Sequence, residues 1–136
     1  MQIHGVNHIT FSVSDLSRSL AFYESVFQAT LLYQDDTTAY LNVGGAWVAL
    51  NEQRDISRKE IWGSYTHIAF SIAQEEWEAW KAHLLTCNVS LLPSRKRIEG
   101  EGLSLYFRDP DGHLLELHTG NLSQRLVAYT QTTRET

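Results

Sequence analysis

The sequence predicts an α+β fold made of two βαβββ modules, and three observations carry that prediction. First, one motif occurs twice: Val6-Asn7-His8-Ile9-Thr10-Phe11-Ser12-Val13 is answered by Tyr65-Thr66-His67-Ile68-Ala69-Phe70-Ser71-Ile72, with the histidines 59 residues apart. Second, both copies alternate in character. Ile9, Phe11 and Val13 (or Ile68, Phe70 and Ile72) share one side, and His8, Thr10 and Ser12 (or His67, Ala69 and Ser71) share the other, which is the period of a half-buried strand. Third, the endings of the two halves align, Gly45-Ala46-Trp47-Val48-Ala49 with Gly112-His113-Leu114-Leu115-Glu116.

Each element follows in order. Ser14 or Asp15 can cap a helix from about Leu16 to Phe27, with Leu16, Leu20, Tyr23 and Phe27 on one face. Thr30 to Tyr33 reads as a short strand and Asp35-Asp36 as a turn. Ala39 to Val43 and Trp47 to Leu50 are strands joined by the hairpin residues Gly44-Gly45. Asn51 to Ser64 is polar and aperiodic and reads as a connection. The second half repeats the order: a strand over Tyr65–Ile72, then a helix from Gln74 or Glu75 to about Leu85 with Trp77, Trp80, Lys81 and Leu84 on one side. A short strand over Val89–Leu92 and a charged loop from Arg95 to Gly102 come next. Strands over Leu103–Phe107 and His113–His118 are joined by Asp109-Pro110-Asp111-Gly112, which has Pro and Gly where a turn needs them. The reading is one domain: module 1 at about 4–52, a connection at 53–63, module 2 at about 64–120 and a C-terminal helix at 121–130. Gln131 to Thr136 is expected to fray.

Bulk properties narrow the function. A 136-residue chain with 43% hydrophobic and 20% charged residues is that of a folded protein. The formal charge of −5 argues against non-specific nucleic-acid binding, although Arg95-Lys96-Arg97 is a local basic cluster suited to a small anion. There is no apolar run of membrane-spanning length and no signal-peptide pattern. The single cysteine, Cys87, cannot form an internal disulfide. The expected setting is a reducing cytoplasm, with neither nucleic acid nor membrane as partner.

The less apolar faces carry the chemistry. They present His8, Thr10, Ser12, Tyr40, Asn42 and Trp47 from the first module, and His67, Ser104, Tyr106, Glu116 and His118 from the second. If the apolar faces meet the helices, these polar faces line a cup of the kind that holds small molecules. Two imidazoles and one carboxylate, His8, His67 and Glu116, form a facial set for a divalent metal with positions left open for chemistry. A closed structural zinc site would be thiolate-rich. The alternative is that each histidine is a strand residue bonded to backbone; their equivalent positions in a duplicated module favour a shared site. His118 is a rival ligand or a neighbour of one, whereas His4, His83 and His113 lack such context and are expected to be exposed. Arg125 could reach an anionic substrate or only cap or pair, and Lys96 could reach one or remain in a solvated loop. Trp77 and Trp80 read as core or interface, and Cys87 as structural. Gly100-Glu101-Gly102 is too short for a phosphate loop but permits close backbone approach to a ligand.

These residues resemble the vicinal oxygen chelate superfamily, and more narrowly its fosfomycin-resistance proteins, from Gly5 to about Tyr129. The most specific segments are Asn7-His8-Ile9-Thr10, Ala21-Phe22-Tyr23, Trp47-Val48-Ala49-Leu50-Asn51-Glu52, Tyr65-Thr66-His67-Ile68-Ala69-Phe70, Tyr106-Phe107-Arg108-Asp109-Pro110-Asp111-Gly112-His113, Glu116-Leu117-His118-Thr119-Gly120 and Arg125-Leu126. The resemblance implies a cupped mixed sheet and an enzyme that opens the epoxide of fosfomycin. It implies metal ligands His8, His67 and Glu116 for Mn²⁺ or Mg²⁺, acting as a Lewis acid. Thr10 and Tyr40 are the expected catalytic side chains, Thr10 near the epoxide oxygen. Trp47, Tyr65, Lys96, Ser104, Tyr106 and Arg125 are the expected substrate-binding residues, the cations and hydroxyls meeting the phosphonate. It further implies a homodimer that exchanges modules, so that His8 meets the partner's His67 and Glu116.

Branches of the resembled family differ in the nucleophile. The water-using branch is similar at Arg97-Ile98-Glu99-Gly100-Glu101-Gly102 but needs a glutamate before the hairpin, where this chain has Gln34-Asp35-Asp36-Thr37-Thr38-Ala39. Asp35 or Asp36 would be a poor substitute. Trp47 to Glu52 and Ile61 to Ser71 look most like the bacillithiol-using branch, so bacillithiol or L-cysteine is expected over glutathione. Thr10 departs from the cysteine found in many members of that branch. Gly100 stands where the glutathione branch has a serine linked to monovalent-cation binding, so K⁺ is not expected as a cofactor. Competing readings are an epoxide hydrolase, an Fe²⁺-dependent ring-cleaving dioxygenase and an antibiotic-sequestering protein. A glyoxalase-type isomerase usually needs a fourth ligand, which Ala49, the duplicate of Glu116, cannot supply.

Overall fold

Both copies of the repeated motif are strands, β1 (Ile9–Val13) and β5 (His67–Ser71), in a computed structural model that describes residues 1–134. The described residues divide into two compact units: Met1–Ser64 with Asp109–His113, and Tyr65–Arg108 with the residues from Leu114 onward.

In the first unit β1 is followed by α1 (Leu16–Phe27), β2 (Thr30–Gln34), β3 (Thr38–Val43) and β4 (Ala46–Glu52). The helix starts where Asp15, in extended conformation, accepts the Arg18 amide at 2.9 Å, so one otherwise orphaned N–H is satisfied. It ends at Gln28, which adopts the left-handed conformation. Leu16, Leu20, Tyr23, Val26 and Phe27 are buried on one face. Across the sheet Phe11, Val13, Leu41, Val43, Val48 and Leu50 are buried as well, so burial of apolar surface holds helix to sheet. The strand order is β1-β4-β3-β2, with β1 parallel to β4 and the rest antiparallel. The connection contains a short helix, α2 (Lys59–Gly63), that periodicity does not reveal because five residues carry too little of it.

The turn Asp109–His113 belongs to this first unit. Tyr23 donates its hydroxyl to Asp109 at 3.0 Å. Asp111 accepts the Ser14 amide at 2.9 Å and faces the Arg58 guanidinium at 2.9 Å. His113 is not exposed as expected: it is partly buried, donates from Nε2 to the Ser12 carbonyl at 2.8 Å, and lies against Phe11. Gly112 has φ +94°, and a Cβ there would sit 2.6 Å from the Trp62 ring, so the turn needs glycine for both conformation and space. Burial is the main force raising both the Asp109 carboxyl and the Tyr23 phenol above their ordinary values.

In the second unit β5 is followed by a 3₁₀ turn (Gln74–Glu76), α3 (Trp77–Thr86), β6 (Ser104–Arg108), β7 (Leu114–His118) and α4 (Leu122–Arg134). The sheet order is β5-β7-β6, with β5 parallel to β7 and β6 antiparallel to it. Two expectations are corrected. Val89–Leu92 does not form a strand; a single bridge, Leu92 to Tyr106, stands in its place. The C-terminal helix runs past residue 130 to Arg134, so the backbone at 131–134 is helical rather than frayed, and 135–136 lie outside the described residues. His83 is partly buried rather than exposed, with Trp80 edge-on to its ring.

Register then fixes which side chains are neighbours. In the first unit Thr10, Ala49 and Tyr40 form one row across β1, β4 and β3. In the second, Ala69, Glu116 and Tyr106 form the equivalent row across β5, β7 and β6, and Ser71, His118 and Ser104 form the next. Directly opposed residues share a sheet face, so Glu116 lies beside Tyr106 and one row from Ser104 and His118.

Tyr23→Phe removes the donor to buried Asp109 and keeps the ring. It is expected to cost about 1–2 kcal/mol, read as a lower urea midpoint with an unchanged denaturant slope.

Candidate functional site

Glu116 is 4% exposed, and a carboxylate so far from water needs partners for both oxygens. Oε1 receives the Ser104 hydroxyl in a short hydrogen bond and faces Arg97 Nη2 at 3.3 Å. Oε2 lies 3.0 Å from His67 Nε2. Burial alone would raise this carboxyl, but the hydrogen bonds from Ser104 and Tyr106 and the nearby histidines outweigh it and hold Glu116 below the usual carboxylate range.

Hydrogen bonding determines the histidine tautomers. His67 Nδ1 lies 2.7 Å from the Tyr65 carbonyl oxygen, which can only accept, so Nδ1 donates there and Nε2 is the nitrogen that faces Glu116. At 3.0 Å the Nε2 of His67 and Oε2 of Glu116 share a proton or a cation between them. This donor chemistry, imidazole nitrogen with carboxylate oxygen, fits a divalent metal. The hydrogen bonds to Oε1 and to His67 Nδ1 are the outer contacts that fix such ligands in orientation.

A second chain runs from the same carboxylate. Ser104 has one proton, and Glu116 takes it. His118 Nδ1, 2.8 Å from Ser104 Oγ, must therefore donate, leaving Nε2 to accept from Arg125 Nη2 at 3.4 Å. Burial, followed by the Arg97 and Arg125 charges, depresses the His118 imidazole against the opposing pull of Glu116, which suits this neutral tautomer. Arg97 Nη2 also donates to Ser104 at 2.5 Å and to Tyr106 at 3.1 Å. Ser104 thus uses its one proton and both acceptor positions inside the protein. Burial and the hydrogen bond with Tyr65 push the Tyr106 phenol up to about 12.

The first unit contributes a separate face. His8 lies against Trp47 with ring centroids 4.4 Å apart and bonds Asn7 Oδ1 at 2.7 Å. Trp47 meets Tyr40 edge-on at 5.3 Å. Thr10 is exposed, and the small Ala49 separates it from Tyr40 in their row.

The structure therefore brings together His67, Tyr65, Ser104, Tyr106, Glu116 and Arg125 within the second unit, and His8, Thr10, Tyr40 and Trp47 within the first. Among the described residues no three histidine, cysteine, aspartate or glutamate side chains are gathered as a metal-holding group. Lys96 is exposed, and its carbonyl accepts from Arg95 Nη1 at 3.3 Å. Arg97, which the sequence places in the basic cluster Arg95-Lys96-Arg97 without singling it out, is the largely buried cation of the cluster. The alternating Arg-Lys-Arg pattern was its only signal.

The loop carrying Arg97 is fastened at its far end. Glu101 is buried and accepts from Arg95 at 2.5 and 3.1 Å, from the Ile98 amide at 2.8 Å and from Tyr129 at 2.9 Å. Gly102, with φ +83°, crosses Gly120 so closely that a Cβ would sit 2.7 Å from the Gly120 nitrogen. Beside the loop is a cavity of about 430 Å³ of mixed character, lined by Gln74, Arg97, Ile98, Leu103, Thr119 and Gln124 among others. Asp35, a weak candidate for a catalytic base, is committed to its hairpin: it accepts the Thr37 and Thr38 amides at 2.9 and 2.8 Å and the Tyr33 hydroxyl at 3.0 Å. These bonds hold it below its ordinary value.

A family model described as the Glyoxalase/Bleomycin resistance protein/Dioxygenase superfamily matches residues 5–117. The chain is 53% identical over 131 residues to the metallothiol transferase FosB of Shouchella clausii, covering 96% of this chain and 90% of that protein. It is 50% identical to that of Staphylococcus saprophyticus, covering 93% and 84%. Among solved structures it is similar to the fosfomycin resistance protein FosX of Listeria monocytogenes, in a glutamate-to-glutamine mutant complexed with Mn(II) and 1S,2S-dihydroxypropylphosphonic acid. The TM-score is 0.81 at 36% identity, covering 94% of this chain and 99% of that one. FosX of Mesorhizobium loti gives 0.76 at 35%, covering 92% and 99%. The chain belongs to the Glyoxalase/Bleomycin resistance protein/Dioxygenase superfamily and, within it, to the family of the metallothiol transferases FosB.

The Arg95 guanidinium holds the Glu101 carboxyl down to about 2. A carboxyl lowered on folding stabilises above its unfolded value and loses that stabilisation as pH falls toward its folded one. Thermal melts should therefore show an acid-sensitive component between about pH 4.5 and 2 that is smaller in Glu101→Gln.

Proposed function

We propose that the chain is a metal-dependent thiol transferase that inactivates fosfomycin by adding a low-molecular-weight thiol to its epoxide, giving resistance to that antibiotic. The observation that carries this reading is the His67–Glu116 pair, an imidazole nitrogen and a carboxylate oxygen converging at 3.0 Å in a chain about half identical to metallothiol transferases over nearly its whole length. His8, His67 and Glu116 hold Mn²⁺ or Mg²⁺ in this reading, His8 coming from the second subunit of a homodimer. The metal supplies Lewis-acid polarisation of the epoxide oxygen.

The protein's own groups do the rest. Ser104 and Arg97 keep Glu116 oriented through Oε1, and the Tyr65 carbonyl keeps His67 in its ligating tautomer. The thiolate is the nucleophile: its sulfur bonds one epoxide carbon as the carbon–oxygen bond breaks, and the oxygen takes up a proton in place of the one the thiol released, becoming a hydroxyl. Thr10 donates a hydrogen bond to that oxygen as its charge develops. Tyr40, Trp47 and Tyr65 wall the three-carbon substrate, while Lys96, Tyr106 and Arg125 meet the phosphonate. Bacillithiol or L-cysteine is the preferred thiol. No described helix is long and apolar enough to cross a membrane, and a reducing cytoplasm, with its free thiols, suits the chemistry.

A second reading, hydrolysis by water, is favoured by the similarity to FosX structures. The commitment of Asp35 to its turn leaves it poorly suited as the base for water, and the thiol reading is preferred.

Purified protein with Mn²⁺ or Mg²⁺ should consume fosfomycin faster with bacillithiol than with glutathione, and the product mass should be that of a thiol adduct. Diol formation at the same rate without any thiol would overturn the transferase reading. His67→Ala should lose metal binding and turnover together; retained metal affinity would remove His67 from the site.

A further inference from the structure

We propose that His118 is a positioning residue for substrate binding, its imidazole holding the Arg125 guanidinium in place for the phosphonate, an assignment that rests on the functional reading above. Arg125 comes from α4 and is partly buried. Among the described residues, the one acceptor its guanidinium meets is His118 Nε2, 3.4 Å from Nη2. A single neutral acceptor orients a guanidinium without neutralising it, so its charge and its other donors stay available to an oxyanion. A carboxylate in the same place would satisfy the guanidinium and compete with the substrate.

Three constraints fix the imidazole itself. Its backbone is tied to the neighbouring strand segment, where the His118 carbonyl accepts the Ile72 amide at 3.0 Å. Its Nδ1 donates to Ser104 Oγ at 2.8 Å, and the Ser104 proton is already committed to Glu116, so Nε2 is left as the acceptor. Its ring lies in space that two glycines leave open: a Cβ on Gly102 would sit 3.2 Å from Cε1, and one on Gly120 2.7 Å from Nε2. The side chain is only 11% exposed, and turning the ring over would give up the bond to Ser104. The orientation so fixed aims Nε2 at Arg125. The ring also stands between opposite charges. Nδ1 is 3.5 Å from Glu116 Oε1 while Nε2 meets Arg125, so a neutral spacer keeps the guanidinium off the carboxylate proposed as a metal ligand. The position of Arg125 is thereby referenced to Glu116 through Ser104 and His118.

Steady-state turnover of fosfomycin by the full chain with Mn²⁺ and saturating bacillithiol tests the assignment. His118→Asn keeps an amide donor near the Nδ1 position but removes the acceptor at Nε2. It should raise the KM for fosfomycin roughly 5- to 20-fold, the range of one modest hydrogen bond, and far more than it lowers kcat. His118→Gln, whose longer side chain returns an oxygen toward the Nε2 position, should recover most of that loss. In an Arg125→Met background His118→Asn should add less than about twofold to KM, because both changes remove the same interaction. Calorimetry with Mn²⁺ alone should show that His118→Asn still binds the metal, which separates a misplaced Arg125 from a collapsed site. Additive KM effects in the Arg125→Met background, or a His118→Gln variant no better than His118→Asn, overturn the assignment and leave the functional reading standing. If wild type consumes no fosfomycin with Mn²⁺ and thiol, the functional reading itself falls and the assignment with it.

Discussion

The desolvated carboxylate of Glu116 is the constraint on which the site depends. Its place in the middle of β7, between β5 and β6, removes it from water. Each of its lone pairs must then find a donor or a cation. That requirement accounts for the polar character of an otherwise apolar sheet: Ser104 and Tyr106 on β6, His67 on β5, and a guanidinium brought in by a loop. The division of labour between its oxygens follows. One is saturated by the protein and fixes the orientation; the other, with His67, offers electron pairs outward.

Duplication supplied the frame and divergence supplied the chemistry. The row Thr10–Ala49–Tyr40 and the row Ala69–Glu116–Tyr106 occupy the same strand positions in the two units. An aromatic hydroxyl is kept in both. The central residue is a methyl group in one and a carboxylate in the other, and the outer residue is a hydroxyl in one and a methyl in the other. No row carries both the carboxylate and the threonine hydroxyl, so neither copy repeats the other's chemistry.

Most of this frame was legible because period-two alternation and a twice-written motif survive in a single sequence. His8, Thr10, His67, Glu116 and Tyr106 could be assigned to faces by counting. The failures have physical causes. Val89–Leu92 has strand composition, but pairing needs a partner, and only Leu92 finds one. The helix Lys59–Gly63 is too short to show a period. His113 looks like a turn residue, yet its ring bonds a carbonyl on β1, far away in sequence. Arg95, Lys96 and Arg97 are one charge run on paper. Only the buried Glu101, six residues from Arg95, separates a lock, a solvated side chain and an interior cation.

The turn Asp109–His113 has a consequence for the order in which the protein is made. The N-terminal unit draws its buried carboxylates from it: Asp109 for Tyr23, and Asp111 for Ser14 and Arg58. During synthesis the segment up to Ser64 emerges with the tyrosine hydroxyl and the arginine but without the acids they bond. That half of the molecule can collapse early, but it cannot complete its polar interior until the ribosome has delivered nearly the whole second module. Such long-range closure slows folding relative to a unit satisfied by its own neighbours, and it makes completion of the early half contingent on the late one.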